Sequence, residues 1–390
     1  MPTSSAPPAA PRPPAAVDLP PLAPRARAPR GPHRVLVVRL SAVGDVLHAL
    51  PAVHAFAVAR PDVEVDWLVE DRAAALLDAH PDLAHVYIVP RGRWARAVRR
   101  PLGWPGVVVG AARFVVALLR RRYDAVVDLQ GNLKSGLWAL LAGAPVRVGL
   151  ASGDAREANG FLVNRRVAVA RSVRHRVERA LHVLSALAGR PLAFVGGGVA
   201  PVAPDGDAAA WVERALAERG LATARFVVLH PGTSRFGAFK RWPAARFAAL
   251  ADRVVRETGA AVVLTAAPGE EPLVEAVRAA ATVATTPLVT PSLATLAALL
   301  VRARGLVAAD TGPLHLAAGL DVPVLGLFGP KDAGVYGPYG RRADGTAGPL
   351  PVLVRDDVGC RPCPVRWCPD PVCMSALAPD DVFAHVRRWL

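Results

Sequence analysis

The run Asp310-Thr311-Gly312-Pro313-Leu314-His315-Leu316-Ala317-Ala318-Gly319 lies between two apolar runs, at 305–309 and 322–329. A strand that ends in Asp-Thr-Gly-Pro and passes straight into a helix leaves several backbone N–H groups free at the helix start. Pro313 suits the first turn, where no N–H is needed. Free N–H groups at the positive end of a helix dipole attract anions, most often phosphate. Taken alone, the same residues also describe an ordinary strand–turn–helix corner.

Arginine is used almost everywhere in this chain, and only Lys134, Lys240 and Lys331 are lysines. A retained lysine marks a place where a compact ammonium is wanted. Lys134 lies in Asp128-Leu129-Gln130-Gly131-Asn132-Leu133-Lys134, after the apolar run 125–127. Lys240 follows His230-Pro231-Gly232-Thr233-Ser234, after the run 226–229. Both stand beyond the carboxyl ends of strands, where open α/β sheets bind ligands. Gly44-Asp45 stands at a third such corner, after the run 34–40. Gly44 permits close approach of a ligand or of another backbone. Asp45 is held ionised by the helix dipole, but it is also a favoured capping residue, and residue type alone does not separate the two roles. No Gly-x-Gly-x-x-Gly or Walker loop follows the first strand, which argues against a nicotinamide or P-loop site.

The elements that position these corners alternate. Apolar runs at 34–40, 63–70, 86–89, 125–129 and 146–150 read as strands of a first domain. Helices are expected from about 46 to 59 and 173 to 187. The Gly- and Pro-rich segment 189–204 reads as a linker. The alternation then restarts, with strands at 226–229, 261–265, 287–289 and 306–309 between helices at 208–219, 243–257, 270–281 and 293–302. Repeated βα units imply parallel sheets covered by helices. The expected organisation is a disordered Pro/Ala/Arg-rich tail at 1–32, a Rossmann-like domain at 33–195, a second at 196–378, and a closing helix at 379–390 packing back on the first domain.

The chain has 390 residues and a formal net charge of +15, with a pI near 11.0. That balance points to an acidic partner: nucleic acid, anionic lipid or a phosphorylated sugar. No nucleic-acid-binding signature accompanies it. There is no signal-peptide pattern, so a cytoplasmic protein is expected. The apolar stretch 102–119 is too broken to span a membrane, which takes about 20 apolar residues. It is flanked by Arg91, Arg93, Arg96, Arg99 and Arg100 on one side and by Arg120, Arg121 and Arg122 on the other. Such a helix either rests on an anionic membrane surface or is a core helix with solvated ends. Cys360, Cys363, Cys368 and Cys373 have a spacing that can enclose a structural zinc, with no part in catalysis.

Five segments in this order resemble glycosyltransferase family 9: residues 39–48 around Gly44-Asp45, Asp128-Leu129-Gln130-Gly131, His230-Pro231-Gly232, Lys240-Arg241-Trp242-Pro243 and Asp310-Thr311-Gly312-Pro313-Leu314-His315. The resemblance runs from about residue 33 to the end. The stretch 44–52, Arg156-Glu157 and the basic segment around Trp94 are most similar to members that add the first heptose to the Kdo sugar of the lipopolysaccharide inner core. The resemblance implies an α/β protein of GT-B fold, with two Rossmann-like domains whose parallel sheets face a central cleft. It implies an inverting, metal-independent transfer without cofactor, from ADP-heptose or a related nucleotide sugar to a Kdo-lipid A acceptor at the cytoplasmic face of the anionic inner membrane. Another nucleotide sugar or acceptor stays open. A basic nucleic-acid-binding protein is the alternative of a different class, and it leaves the five segments unexplained.

By the same resemblance, Asp45 is the catalytic base and Lys240 assists departure of the diphosphate. Thr233, Ser234, Asp310, Thr311 and Gly312 hold the donor, with His315 a phosphate neighbour or structural. Glu271 binds the ribose, with Glu270 close enough to exchange places with it. Ser41, Gly44, Gln130 and Lys134 are expected to face the acceptor. Arg93, Arg96 and Arg156 either pair with the carboxylates and phosphates of such an acceptor or are solvated surface charge. His175, Arg176 and Arg179 lie on one helical face near the junction of the domains, for binding or for structure.

Overall fold

The computed structural model describes residues 33–390 apart from 79, 101–102, 152–158, 197–205, 356, 362 and 364–366. The expected tail and Arg156 lie outside the described residues. The first domain runs β1 (His33–Val38), α1 (Val43–Ala59), β2 (Val63–Glu70), β3 (His85–Val89), α2 (Arg91–Val98), α3 (Trp104–Arg121), β4 (Ala125–Asp128), α4 (Leu133–Leu141), β5 (Val146–Leu150), β6 (Arg165–Val167) and α5 (Arg176–Ala188). The second runs α6 (Gly206–Ala217), β7 (Phe226–His230), α7 (Ala244–Thr258), β8 (Ala261–Ala266), α8 (Glu271–Ala280), β9 (Thr286–Val289), α9 (Leu293–Arg302), β10 (Leu306–Ala309), α10 (Gly312–Gly319), β11 (Val324–Phe328) and α11 (Ala333–Tyr336). A small hairpin of β12 (Tyr339–Arg341) and β13 (Ala347–Pro349) follows, then β14 (Val352–Val354), α12 (Val372–Ser375) and α13 (Pro379–Val386).

Each domain holds a six-stranded sheet whose neighbouring strands all run parallel, in the orders β3-β2-β1-β4-β5-β6 and β14-β11-β10-β7-β8-β9. A central parallel strand is buried on both faces, so it reads as a continuous apolar run. In β1, Val35 and Val37 pack with α1 and α5, while Leu36 and Val38 pack on the α2–α4 side. In β7, Phe226 and Val228 lie in one core and Val227 and Leu229 in the other.

Both sheets reverse their winding direction at one place: between β1 and β4 in the first, between β7 and β10 in the second. That is where the crevice for a ligand opens in doubly wound sheets. The four loops that leave these strands carry Arg39 to Asp45, Gln130 to Asn132, Thr233 to Lys240, and Asp310 to Gly312.

The closing helix differs from expectation. Val382, Phe383 and Val386 of α13 join the core beside α7, the Arg253 guanidinium lies 4.3 Å from the Phe383 ring centroid, and Arg253 pairs with Asp380 at 2.7 Å. Trp389 covers Gly305, and Arg225 donates to the Leu390 carbonyl oxygen. The helix therefore packs on the second domain. Its apolar side chains, one turn apart, match the uncovered side of α7.

Candidate active site in the interdomain cleft

Strand β1 carries Arg39 into the cleft. The residue is 3 % exposed; one terminal nitrogen donates to the Leu129 carbonyl oxygen (2.6 Å) and the other meets Asp45 Oδ1 at 2.6 Å. Asp45 stands in the first turn of α1 and accepts from the Ala42 N–H at 3.3 Å. Arg176, from the start of α5, lies 3.7 Å from the same carboxylate oxygen. Burial alone would raise the Asp45 pKa. Arg39, Arg176 and the Ala42 N–H outweigh it and hold the group below its ordinary range. Asp45 is thus both the half-cap that its position suggests and a carboxylate clamped between guanidiniums.

Asp45 borders a cavity of about 920 Å³ that Arg39, Arg171, Arg174, Arg176 and Arg179 also line. Tyr336 of the second domain closes one side. Its hydroxyl accepts from Arg176 at 3.2 Å, and its ring lies under the same guanidinium, 4.9 Å away. Five guanidiniums around one carboxylate favour an anionic occupant.

Of the residues expected on this side, Ser41 and Gln130 line the cavity. Gln130 Oε1 also accepts from the Leu40 and Ser41 N–H groups, so it shapes the loop after β1. Gly44 packs against the His315 ring: a Cβ there would stand 3.1 Å from His315 Cδ2. Its role is interdomain approach. Arg93 and Arg96 do not line the cavity, because α2 follows the edge strand β3, two strands from β1. Lys134 turns away to Glu70, a buried carboxylate at the end of β2 that also takes Arg91 at 3.1 Å. The arginines of 171–179 occupy the place expected for Arg93, Arg96 and Lys134. Arg176 and Arg179, on α5, are the two that the sequence places on one helical face near the junction of the domains; Arg171 and Arg174, just before α5, carry no such signal.

On the donor side, Lys240 Nζ reaches Asp310 Oδ2 at 2.6 Å and the Asp310 carbonyl oxygen at 3.3 Å. His315 Nε2 stands 3.4 Å from the other carboxylate oxygen. Burial opposes ionisation of Asp310, but His315 and Lys240 bring its pKa down to about 2. Thr311 precedes α10, whose first residue Gly312 lies against Val43 of α1; a Cβ there would come within 2.8 Å of Val43 Cγ1. Thr233 is buried, its hydroxyl accepting from Arg241 Nε at 2.9 Å, while Ser234 is exposed. Of the two glutamates, Glu270 faces the His230–Gly232 turn, where a Cβ on Gly232 would strike its Oε2. Glu271 is solvent-exposed and accepts from the Gly269 N–H at 3.1 Å. Of the two, it is Glu270 that turns toward the loop after β7 and Glu271 that turns to water.

Three histidines join the domains. His48 and His175 both place Nε2 on the Gly337 carbonyl oxygen, at 3.2 and 3.0 Å, and the His48 ring meets the His315 ring at 4.3 Å. Burial first, then the neighbouring His315 and His175 rings, holds His48 well below its ordinary pKa. Burial brings His175 to about 4, and does the same to His230 on the Thr265 hydroxyl. These groups are folded as neutral imidazoles. The unfolded chain takes up protons first as pH falls below 6.5, so their contribution is complete above that value and is lost between there and about 4. For His175 and His230 the loss is on the order of 3 kcal/mol each. Thermal melts should show Tm falling steadily from pH 7 to pH 4.5; a constant Tm would exclude buried neutral imidazoles.

Among the described residues, no group of three or more His, Cys, Asp or Glu side chains could hold a metal ion. The four cysteines are thus not gathered into the expected site. Cys373 is buried in α12 against Gly329, whereas Cys360 is exposed.

Two Rossmann-like domains with parallel sheets, meeting at their switch points across a cleft, define a GT-B glycosyltransferase. The chain belongs to glycosyltransferase family 9 (heptosyltransferase), whose model matches residues 111–355. It is 32 % identical over 375 residues to lipopolysaccharide heptosyltransferase 1 of Pseudomonas aeruginosa, covering 92 % of this chain and 98 % of that protein. It is also 32 % identical to the Escherichia coli K12 protein of the same name, over 79 % of this chain and 91 % of that one. Among solved structures, the E. coli heptosyltransferase WaaC with ADP superposes with a TM-score of 0.70 at 26 % identity, covering 92 % of this chain and 100 % of that one. WaaC with ADP-2-deoxy-2-fluoro heptose gives 0.68 at 27 %, covering 91 % and 99 %.

Proposed function

We propose that this glycosyltransferase moves heptose from ADP-heptose to the Kdo region of a lipid A-linked acceptor, by inversion and without a metal. The observation that carries the reading is Asp45, placed at the edge of a cavity lined by five arginines, in the helical turn whose Val43 and Gly44 meet α10. An acidic sugar acceptor, with carboxylates and nearby phosphates, suits that cavity through charge-assisted bonds. Asp45 takes the proton of the acceptor hydroxyl as its oxygen attacks the anomeric carbon. The bond from that carbon to the diphosphate breaks, and ADP leaves with the electron pair. Lys240 and the N–H groups at the start of α10 stabilise the charge that develops. Glu270, facing the His230–Gly232 turn, is the acid in reach of the nucleoside. No helix among the described residues is long and apolar enough to cross a membrane; the enzyme meets its acceptor at the cytoplasmic face of the inner membrane.

Incubation with a panel of nucleotide sugars and Kdo2-lipid A, followed by product mass, tests the reading. The expected product carries one added heptose, from the ADP-linked donor only. EDTA should leave the rate unchanged. Loss of activity in EDTA with the fold retained would sink the metal-independent mechanism, and transfer from another donor would reassign the substrate within the family.

A further inference from the structure

Residues 91–122 carry nine arginines and no Asp or Glu. They form α2, which buries no residue, and α3, which in 18 residues buries Leu118 alone. A surface helix ordinarily turns its apolar stripe to the core. Helix α3 does the reverse. At about 100° per residue, Trp104, Val108, Leu119, Val116 and Val109 fall in succession across an arc of about 140°, with Pro105 and Ala112 between them, and all seven are exposed. Arg120 and Arg113, also exposed, follow at the edge of the arc. Only the opposite side, with Phe114 and Leu118, faces the protein.

The apolar surface continues onto α4, where Leu133, Leu137 and Leu140 are exposed and Leu119 packs over Gly143. Next to it, between α2 and α4, a pocket of about 450 Å³ is walled by Val89, Trp94, Val98 and Trp138, with Arg91, Arg99 and Lys134 at its rim. An exposed apolar surface of this extent calls for an occupant. A second copy would set arginines against arginines in a self-complementary contact, with no acid on either helix. Nucleic acid would satisfy the arginines and leave the apolar arc in water. An anionic lipid surface satisfies both, because apolar side chains settle at the acyl boundary while basic ones meet the phosphates.

We propose that α2, α3 and α4 form the docking face for an anionic phospholipid bilayer, with the α3 arc set at the headgroup–acyl boundary and the α2–α4 pocket receiving the end of one acyl chain. The proposal rests on the reading that the acceptor is lipid-linked. It gives the face that presents the enzyme to that acceptor, separate from the arginine-lined cavity beside Asp45.

Co-sedimentation of the full chain with vesicles tests it, with neither donor nor acceptor present. Phosphatidylglycerol–phosphatidylethanolamine vesicles should bind the protein at low salt and release most of it at high salt, and phosphatidylcholine vesicles should bind little. Vesicles with brominated acyl chains should quench tryptophan fluorescence, and Trp104→Phe should lose part of that quenching. Val108→Glu with Val116→Glu should weaken binding at least tenfold while far-UV circular dichroism and ADP affinity stay unchanged. Changing Arg93, Arg96, Arg99 and Arg100 to Ser should weaken it similarly through charge. Wild-type binding by either variant, or equal binding to phosphatidylcholine, would overturn the docking face. Transfer to a deacylated, soluble acceptor separates the two readings. If it proceeds while vesicle binding fails, only the docking face is lost. If vesicle binding succeeds while transfer fails, the acceptor assignment is lost instead.

Discussion

Asp45→Asn lowers turnover by at least about 100-fold, the scale of a lost general base, while the affinity for ADP changes little. Asn fills the same space and can still accept from the Ala42 N–H, so the helix start survives. The two arginines that clamp the carboxylate sharpen the prediction. Arg39 at 2.6 Å and Arg176 at 3.7 Å keep Asp45 ionised throughout the neutral range, so the rate should show no acid limb from this group above the ordinary carboxylate pKa. The same arginines weaken it as a base in the open cleft. An acceptor carboxylate that draws Arg176 away would restore basicity at the moment it is needed. Asp45→Ala also leaves the buried Arg39 short of its counterion, a change that ordinarily costs about 3–5 kcal/mol when both partners are buried and less here, since Asp45 is 30 % exposed. A lower Tm with near-normal turnover would reduce Asp45 to a helix cap.

Lys240→Ala should weaken ADP binding by roughly 10- to 100-fold, the equivalent of one charge-assisted bond of about 1.5–3 kcal/mol, and slow transfer by at least as much. Lys240 is engaged by Asp310, not free. The diphosphate must therefore share or replace Asp310 as its partner, and Lys240→Arg should recover only part of the loss because its planar fork is longer and differently directed. Asp310 supplies an independent readout. Its pKa is depressed to about 2, so the stability it contributes is present above its unfolded value of 3.8 and is lost as pH falls toward 2. Without Lys240 that acid transition should move to higher pH. Unchanged ADP affinity together with a shifted acid transition would make Lys240 a structural partner of Asp310 and nothing more.

Much of this protein is written in short-range pattern. Buried parallel strands must be apolar on both faces, so β1, β4, β7 and β10 are visible as runs of Val, Leu and Ala. The residues directly after them are at the carboxyl ends of the strands by construction. That is why the corners at Asp45, Lys240 and Asp310 stood out from order alone, while their roles, and the choice of Gln130 and Thr233, rested on the resemblance to glycosyltransferase family 9. The short edge strands β6 and β14 and the β12–β13 hairpin were missed because three residues carry too little periodicity to be recognised.

What the sequence could not decide were the choices made across distance. Lys134 and Arg91 are claimed by Glu70, a carboxylate buried at the end of another strand. Glu270 rather than Glu271 turns toward the loop after β7 because the turn into α8 sets one side chain inward and the next into water. The closing helix lies on α7 because the matching apolar surface is there. Arg176, the second cation at Asp45, comes from a helix about 130 residues further along the chain and owes its place to the packing of α5 on α1. Strand, turn and helix start obey local stereochemistry, which adjacent residues determine. Which cation meets which carboxylate is settled by burial and by the distance between elements, and those exist only in the folded chain.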